Sequence, residues 1–257
     1  MKHLVLVFFM SLWVSANTLH VAPNLALYQM PQKLSQSIQW HADTKLSASA
    51  LGLWLLTANN LYRLDKPSKT LMTPLHVNSF SIAQSGHPIL ISDRHLGLVR
   101  HGLFLPSLSL PQSGFELASG TNDTLYLYNR KIPSPIYAFD GKMITPIAQP
   151  NQAVQALISL HQTLIFATKE GIFSLESGKP LELLIPLPPS IIVRSLAINP
   201  LSAEIFVSTE DTIFSLQDGI MTPLVTGVGG SLTYYDNCLW IADAKQQQLY
   251  IILPQSH

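Results

Sequence analysis

A unit of about forty residues recurs along this chain, and its clearest copy is residues 162–178, QTLIFATKEGIFSLESG. An apolar run, a polar turn, a second apolar run and a turn ending in glycine follow one another, which is the pattern of a β-hairpin. The first run returns at Leu53, Ile89, Leu125, Leu164, Ile205 and Leu239, with spacings of 36, 36, 39, 41 and 34 residues. Such a period is typical of the blades of a β-propeller.

Two further elements complete each unit. One contains a proline, as in the MTPL and ITPI motifs around Pro74, Pro146 and Pro223. Because proline has no N–H to give to a sheet, this element is predicted to be the outermost strand. The other precedes the first run, is rich in small residues and is predicted to be the innermost strand. The sequence therefore predicts an all-β, six-bladed β-propeller of four-stranded blades. A β-sandwich has no fixed period, and an open solenoid needs capping ends.

The last unit lacks its outer strand. Its three strands are predicted at residues 231–235, 237–242 and 248–253, after which only four residues remain. An unpaired third strand would expose a row of N–H and C=O groups. We therefore expect an N-terminal strand, within residues 19–39, to close the last blade. Residues 25–30 are the preferred strand, and residues 33–39 are the alternative.

Residues 1–16, MKHLVLVFFMSLWVSA, have the pattern of a signal peptide. Lys2 precedes an apolar stretch that is too short to span a bilayer, and Ser15 and Ala16 suit the cleavage site. We predict cleavage after Ala16, a single propeller domain over residues 17–257 and no membrane-spanning segment in that domain. The alternative is an uncleaved anchor. Cys238 is the one cysteine, so no internal disulfide is expected. A periplasmic or secreted location follows, and the lack of disulfides favours a bacterial periplasm.

Composition and motifs exclude several kinds of function. Lys plus Arg and Asp plus Glu each number 15, the net charge is zero, and no basic stripe exists, so we expect no nucleic-acid partner. The chain has no His-x-x-x-His pair on a predicted helix, no Cys/His cluster and no Gly-x-Ser-x-Gly motif. No catalytic residue, no cofactor and no tightly held metal ion are therefore predicted.

The turns between the second and third strands of the blades should all lie on one face of the disc. This face gathers many polar and charged side chains, which predicts an interaction face around the channel. Polar residues are also simply common in tight turns, and that alternative stays open. The turn residues are Asn59, Asn60, Asp93, Arg94, His95, Asn129, Arg130, Lys131, Lys169, Glu170, Glu210, Asp211, Asp243 and Lys245.

Short motifs resemble known propeller families. Residues 241–252, IADAKQQQLYII, resemble an NHL repeat, in which Asp243 would cap the hairpin turn. Residues 55–66 and 166–179 resemble blades of two-component-sensor propellers. The first residues of the inner strands include Asp43, Asn78 and Glu116, similar to the SMP-30/gluconolactonase group, whose Glu, Asn and Asp hold a divalent cation at the channel mouth. That resemblance implies a calcium or magnesium site and a lactone hydrolase; unrelated solvated residues are the alternative.

Taken together, export and the lack of a catalytic motif favour a non-enzymatic propeller. We expect a protein-interaction or scaffold module that binds protein partners in the cell envelope, for example within a secretion or outer-membrane assembly. Two alternatives remain. One is the metal-dependent lactone hydrolase, and the other is a propeller that binds a carbohydrate or another small ligand.

Overall fold

The computed structural model describes residues 19–49, 51–57, 60–65, 70–72, 77–82, 86–120 and 124–254. The predicted signal peptide, residues 1–16, and Asn59 lie outside this part of the chain. Six sheets surround a central channel, so the predicted all-β, six-bladed propeller is confirmed. Within the described ranges, one helix is present, and no helix is long and apolar enough to cross a membrane.

The elements follow one another in the expected order. Before the first blade come β1 (His20–Val21), β2 (Leu25–Gln29) and α1 (Gln32–Gln36). Blade one comprises β3 (Lys45–Ser49), β4 (Gly52–Thr57), β5 (Asn60–Arg63) and β6 (Thr70–Met72); blade two comprises β7 (Val77–Ile82), β8 (Pro88–Ser92), β9 (His95–Arg100) and β10 (Leu103–Ser109). Blade three comprises β11 (Phe115–Ser119), β12 (Leu125–Asn129), β13 (Ile136–Phe139) and β14 (Ile144–Ala148).

The second half of the chain repeats this arrangement. Blade four comprises β15 (Ala156–Leu160), β16 (Thr163–Ala167), β17 (Gly171–Glu176) and β18 (Glu182–Pro186). Blade five comprises β19 (Ser195–Ile198), β20 (Ile205–Ser208), β21 (Thr212–Gln217) and β22 (Ile220–Thr226). Blade six comprises β23 (Ser231–Tyr235), β24 (Cys238–Asp243) and β25 (Gln248–Pro254). All strand pairs are antiparallel, so successive turns alternate between the two faces of the disc.

Of the prolines predicted to mark outer strands, Pro146 and Pro223 lie in outer strands, and Pro74 lies outside the described residues. In blades two, three and five, Pro106, Pro146 and Pro223 each directly precede one extra residue that bulges the strand. A proline and a bulge both interrupt regular pairing, which an outer strand tolerates because most of its far edge has no partner. In blade five, β1 pairs only with Val225 and Thr226, beyond Pro223.

Side chains of the inner strands, or of the residue just before them, form hydrogen bonds across the blade junctions. At four of the six junctions, a main-chain N–H of one blade donates to a side-chain oxygen of the preceding blade. These bonds are Leu46 N to Ser231 Oγ (2.8 Å), Leu117 N to Ser79 Oγ (3.0 Å), Val193 N to Gln155 Oε1 (2.8 Å) and Leu232 N to Ser195 Oγ (3.0 Å).

The other two junctions use a side chain that donates to a carbonyl oxygen. The Ser159 hydroxyl in blade four donates to the carbonyl of Ser119 in blade three, over 2.9 Å. The Lys45 ammonium in blade one donates to the carbonyl of Asn78 in blade two, over 3.2 Å. Hydrogen bonds between inner strands therefore run around the whole ring.

The hydrophobic core is divided into six layers, each between two neighbouring blades. At one equivalent position, each inner strand has a large buried side chain that packs against the preceding blade. These side chains are Leu46, Phe80, Leu117, Leu157, Leu196 and Leu232. Because both faces of every sheet are covered, the strands can be nearly continuous in apolar residues.

The N-terminal segment closes the ring. Strand β2 pairs with β25 from Leu25 opposite Pro254 to Gln29 opposite Tyr250, which confirms residues 25–30 as the closing strand. The alternative, residues 33–39, forms no strand and overlaps α1. Strand β1, which the sequence did not predict, pairs with β22 and adds a fifth strand to blade five. The segment thus contacts both of the last two blades.

Two neighbouring side chains of β2 test this closure. Leu27 packs against the layer between blades five and six, whereas Tyr28 is 50% exposed on the other side of the strand. We expect Leu27→Asp to lower the free energy of unfolding by about 1–3 kcal/mol, because a carboxylate would enter an apolar layer. Tyr28→Asp should change it by less than about 0.5 kcal/mol. Denaturant titration measures both, and equal effects would contradict the closure.

Candidate functional site

A cavity of about 620 Å³ occupies the central channel. It opens on the face that carries the turns between second and third strands, including Asp93–Arg94 and residues 130–135, 168–170, 209–211 and 244–247; we call this the mouth face. The chain enters every inner strand from the same face, because each blade has the same connectivity. Deeper in the channel the wall consists largely of small side chains such as Ser47, Ser119 and Ala197, which leave the space open.

The most enclosed ion pair at the mouth forms at Glu116. The Lys45 ammonium lies 2.9 Å from Glu116 Oε1, and the Arg130 guanidinium lies 3.7 Å from the same oxygen. The Tyr128 hydroxyl donates to Glu116 Oε2 over 3.2 Å. Burial, followed by the negative charge of Glu116, raises the pKa of Tyr128 well above its usual value, so this hydroxyl remains a donor. Glu116 is therefore compensated by two cations and a buried phenol.

The three residues that resemble a divalent-cation site do not converge on one point. Glu116 faces Lys45, and Lys45 in turn holds the main-chain oxygen of Asn78. Asp43 is 83% exposed as a side chain and lies 3.7 Å from His41. A divalent cation bound to Glu116 would lie in contact with the Lys45 ammonium, which repels it. Lys45 therefore already takes the place that a metal ion would need. In the described residues, no group of three or more His, Cys, Asp or Glu side chains could hold a metal.

The opposite part of the mouth carries a looser pair. Arg194 lies 3.6 Å from Glu210, and the two side chains are 47% and 66% exposed. Nearby, the amide of Gln152 donates to Glu170 Oε1 over 3.1 Å. Lys245 is exposed at the rim of the same cavity.

Three of the predicted face residues, Asn129, Arg94 and Asp243, form hydrogen bonds that hold loops of their own blades. Asn129 is buried, and its Oδ1 accepts the N–H groups of Lys131 and Ile132 at 2.9 and 3.2 Å. The guanidinium of Arg94 donates to the carbonyls of Leu110 and Pro111. These two residues hold the loops of blades two and three in place.

Asp243 acts in the same way in blade six. Its carboxylate accepts the N–H of Gln246 over 2.9 Å and that of Gly229 over 3.3 Å, so it caps the turn as the NHL-like motif implied. Burial raises the pKa of Asp243, while these N–H groups stabilise its charged form.

The remaining members of the predicted face extend into solvent or line the mouth. Asn60 is half-buried and donates to Gln39 Oε1 over 3.1 Å. The exposed residues are Asp93, His95, Lys131, Lys169, Glu170, Glu210, Asp211 and Lys245. Their turns all lie on the mouth face, and their role in binding a partner stays a prediction.

Sequence reasoning missed Lys45 and Tyr128. A signal for Lys45 was present, since Lys45 and Glu116 occupy the inner-strand position at which Ser79, Ser195 and Ser231 make cross-blade bonds. A charged residue at a position that is serine in three other blades indicates a role other than the repeated junction bond.

No protein-family model matches this chain, and no curated protein matches it significantly. Among solved structures it is similar to a gluconolactonase from Xanthomonas campestris (TM-score 0.67, 10% identity, 84% of this chain and 88% of that one). It is similar to the calcium-binding protein regucalcin from Agrobacterium tumefaciens (TM-score 0.66, 12% identity, 84% and 90%). It is also similar to the extracellular domain of a candidate hybrid two component system from B. thetaiotaomicron (TM-score 0.58, 15% identity, 83% and 32%). The expected likeness to SMP-30/gluconolactonase-like and sensor propellers is confirmed, and at these identities it shows the fold alone.

The enclosed pair at the mouth can be tested against an exposed pair. We expect a double-mutant cycle of Lys45→Met and Glu116→Gln to give a coupling energy of about 1–3 kcal/mol, because both side chains are more than four-fifths buried. The matched control is Lys179 and Glu176, which lie closer, at 2.7 Å, but are 63% and 45% exposed. Their coupling should stay below about 0.5 kcal/mol. Chemical denaturation measures both cycles, and equal couplings would contradict the assigned burial.

Proposed function

We propose that this protein is an exported, non-enzymatic β-propeller that binds a protein partner in the cell envelope through its mouth face. The observation that carries the proposal is the state of Glu116: Lys45, Arg130 and Tyr128 surround it, so it is not free to act as a base or a metal ligand. A rigid disc with charged, exposed turns on one face is well suited to recognition.

Export rests on the signal-peptide pattern of residues 1–16. Two similar solved structures are extracellular domains, which fits the same location. The exported domain would then comprise residues 17–257, and protein purified from the envelope should begin at Asn17.

Charge reversal on the two faces tests the binding surface. We expect Lys131→Glu with Lys169→Glu, on the mouth face, to reduce capture of a specific envelope protein by about tenfold or more, because the substitutions reverse charge within the contact. The control is Lys142→Glu with Lys179→Glu, on the turns of the same blades at the opposite face. It makes the same change in net charge and should leave capture unchanged. Capture from envelope extracts, quantified by mass spectrometry, measures the effect. Equal loss with both pairs would contradict a role for the mouth face.

The second candidate is a metal-dependent lactone hydrolase. The observation that favours it is the carboxylate of Glu116 at the cavity mouth of a fold that a gluconolactonase shares. For that chemistry Lys45 would have to leave Glu116 and a divalent ion take its place. The ion pair therefore weighs against this candidate.

Metal analysis separates the two candidates. After dialysis we expect less than about 0.1 equivalent of calcium, magnesium or zinc per chain, because the carboxylate of Glu116 is already neutralised. Lys45→Met should be measured in parallel, since it removes the competing cation. One equivalent of metal in the parent protein, lost in Glu116→Gln, would favour the hydrolase.

A further inference from the structure

The arginines of the described chain differ in how their hydrogen-bond donors are used. Arg63 donates to both oxygens of Asp65, over 2.9 and 3.0 Å, and also to a carbonyl. Arg94 donates to two carbonyls. Arg130 and Arg194 behave differently: in the described residues, neither guanidinium has an acceptor within hydrogen-bond distance, and their nearest carboxylates lie at 3.7 and 3.6 Å. Both of these arginines line the central cavity.

The two enclosed carboxylates at the mouth are engaged, whereas those of Glu210 and Asp43 are exposed to solvent. Glu116 is bonded by Lys45 and Tyr128, and Asp243 accepts two main-chain N–H groups. Lys45 is engaged as well, because it also donates to the Asn78 carbonyl. Around Arg130, guanidinium donors therefore remain while the neighbouring carboxylate, Glu116, is already bonded by other groups.

Burial makes the unbonded donors of Arg130 significant. The side chain of Arg130 is only 26% exposed, and part of its hydration is therefore lost. A partly desolvated guanidinium without an acceptor is unfavourable, and a bound oxyanion offers the planar, two-oxygen partner that its fork prefers. Arg194, on another wall of the same cavity, provides a second fork.

We propose that the mouth of the central cavity binds a carboxylate-bearing ligand through Arg130 and Arg194. This inference deepens the proposed function and rests on it for the choice of face. The carboxylate comes either from a small polycarboxylate, for which about 620 Å³ is ample, or from an acidic side chain of the protein partner. A polycarboxylate suits the site better than a phosphate dianion, because its negative charges lie on separate groups, so that each arginine, beside Glu116 or Glu210, meets a single charge.

Citrate serves as the probe for the site. Isothermal titration of the full chain, at constant ionic strength, should show citrate binding that weakens about tenfold in Arg130→Gln and in Arg194→Gln. The control is Arg100→Gln, an exposed arginine of β9 outside the cavity, which should bind like the parent. Thermal melting of each variant confirms folding, and Arg130→Lys, which keeps the charge but loses the fork, should recover only part of the affinity.

Several results would overturn the inference. They are no citrate binding by the parent, binding that is the same in Arg130→Gln and Arg194→Gln, or tighter binding of inorganic phosphate than of citrate. If citrate binds and also competes with partner capture, the carboxylate belongs to the partner; if it binds without competing, the ligand is a free small molecule. Both of these results support the site.

The inference and the proposed function can fail separately. If the protein does not bind citrate but still captures a partner through Lys131 and Lys169, the carboxylate site is wrong and the proposed function is retained. Citrate binding without any face-dependent capture removes the protein-binding function and leaves the small-molecule site.

Discussion

Hydrogen bonds between neighbouring inner strands are the constraint on which the rest of the disc depends. A serine hydroxyl reaches the N–H of the next blade at 2.8–3.0 Å only if the two strands lie close together. Each bond contributes about 1 kcal/mol, but leaving its buried N–H unpaired would cost more. Short side chains are therefore required at Ser79, Ser195 and Ser231. Small side chains at other inner-strand positions, such as Ser47, Ser119 and Ala197, line the channel and leave it open.

Closure of the ring follows from the division of the core into layers. Each layer needs two blades, so the layer between blades five and six is complete only if the last sheet is complete. The N-terminal segment meets this need, since Leu25 and Leu27 pack into that layer and β2 pairs along β25. Strand β1 then extends the same segment along β22. One stretch of chain thus joins the sheets on both sides of the layer.

Much of this fold could be predicted because its signals are local and repeated. The period, the outer-strand prolines and the missing strand of blade six are all visible in the sequence. Strand β1 could not be predicted, because two residues carry no periodicity and its pairing with β22 depends on where β2 directs the chain. The pairing of Lys45 with Glu116 joins residues 71 positions apart (116 minus 45) in blades one and three, which are not neighbours in the ring. Likewise, Asn129 and Arg94 look like ordinary polar turn residues until their loop partners are known.

The charged groups at the channel mouth include two residues that replace serine at one equivalent position of the inner strands. Lys45 and Glu116 take this position in blades one and three, and their side chains meet across blade two. A compact ammonium can contact both Glu116 and the Asn78 carbonyl, so Lys45 takes over the role of a junction bond. The guanidinium of Arg130 is larger and planar, and at 3.7 Å it shares the charge of Glu116 without bonding to it. Two cations of equal charge thus end in different states: the lysine becomes part of the ring, whereas the arginine has no hydrogen-bond acceptor among the described residues.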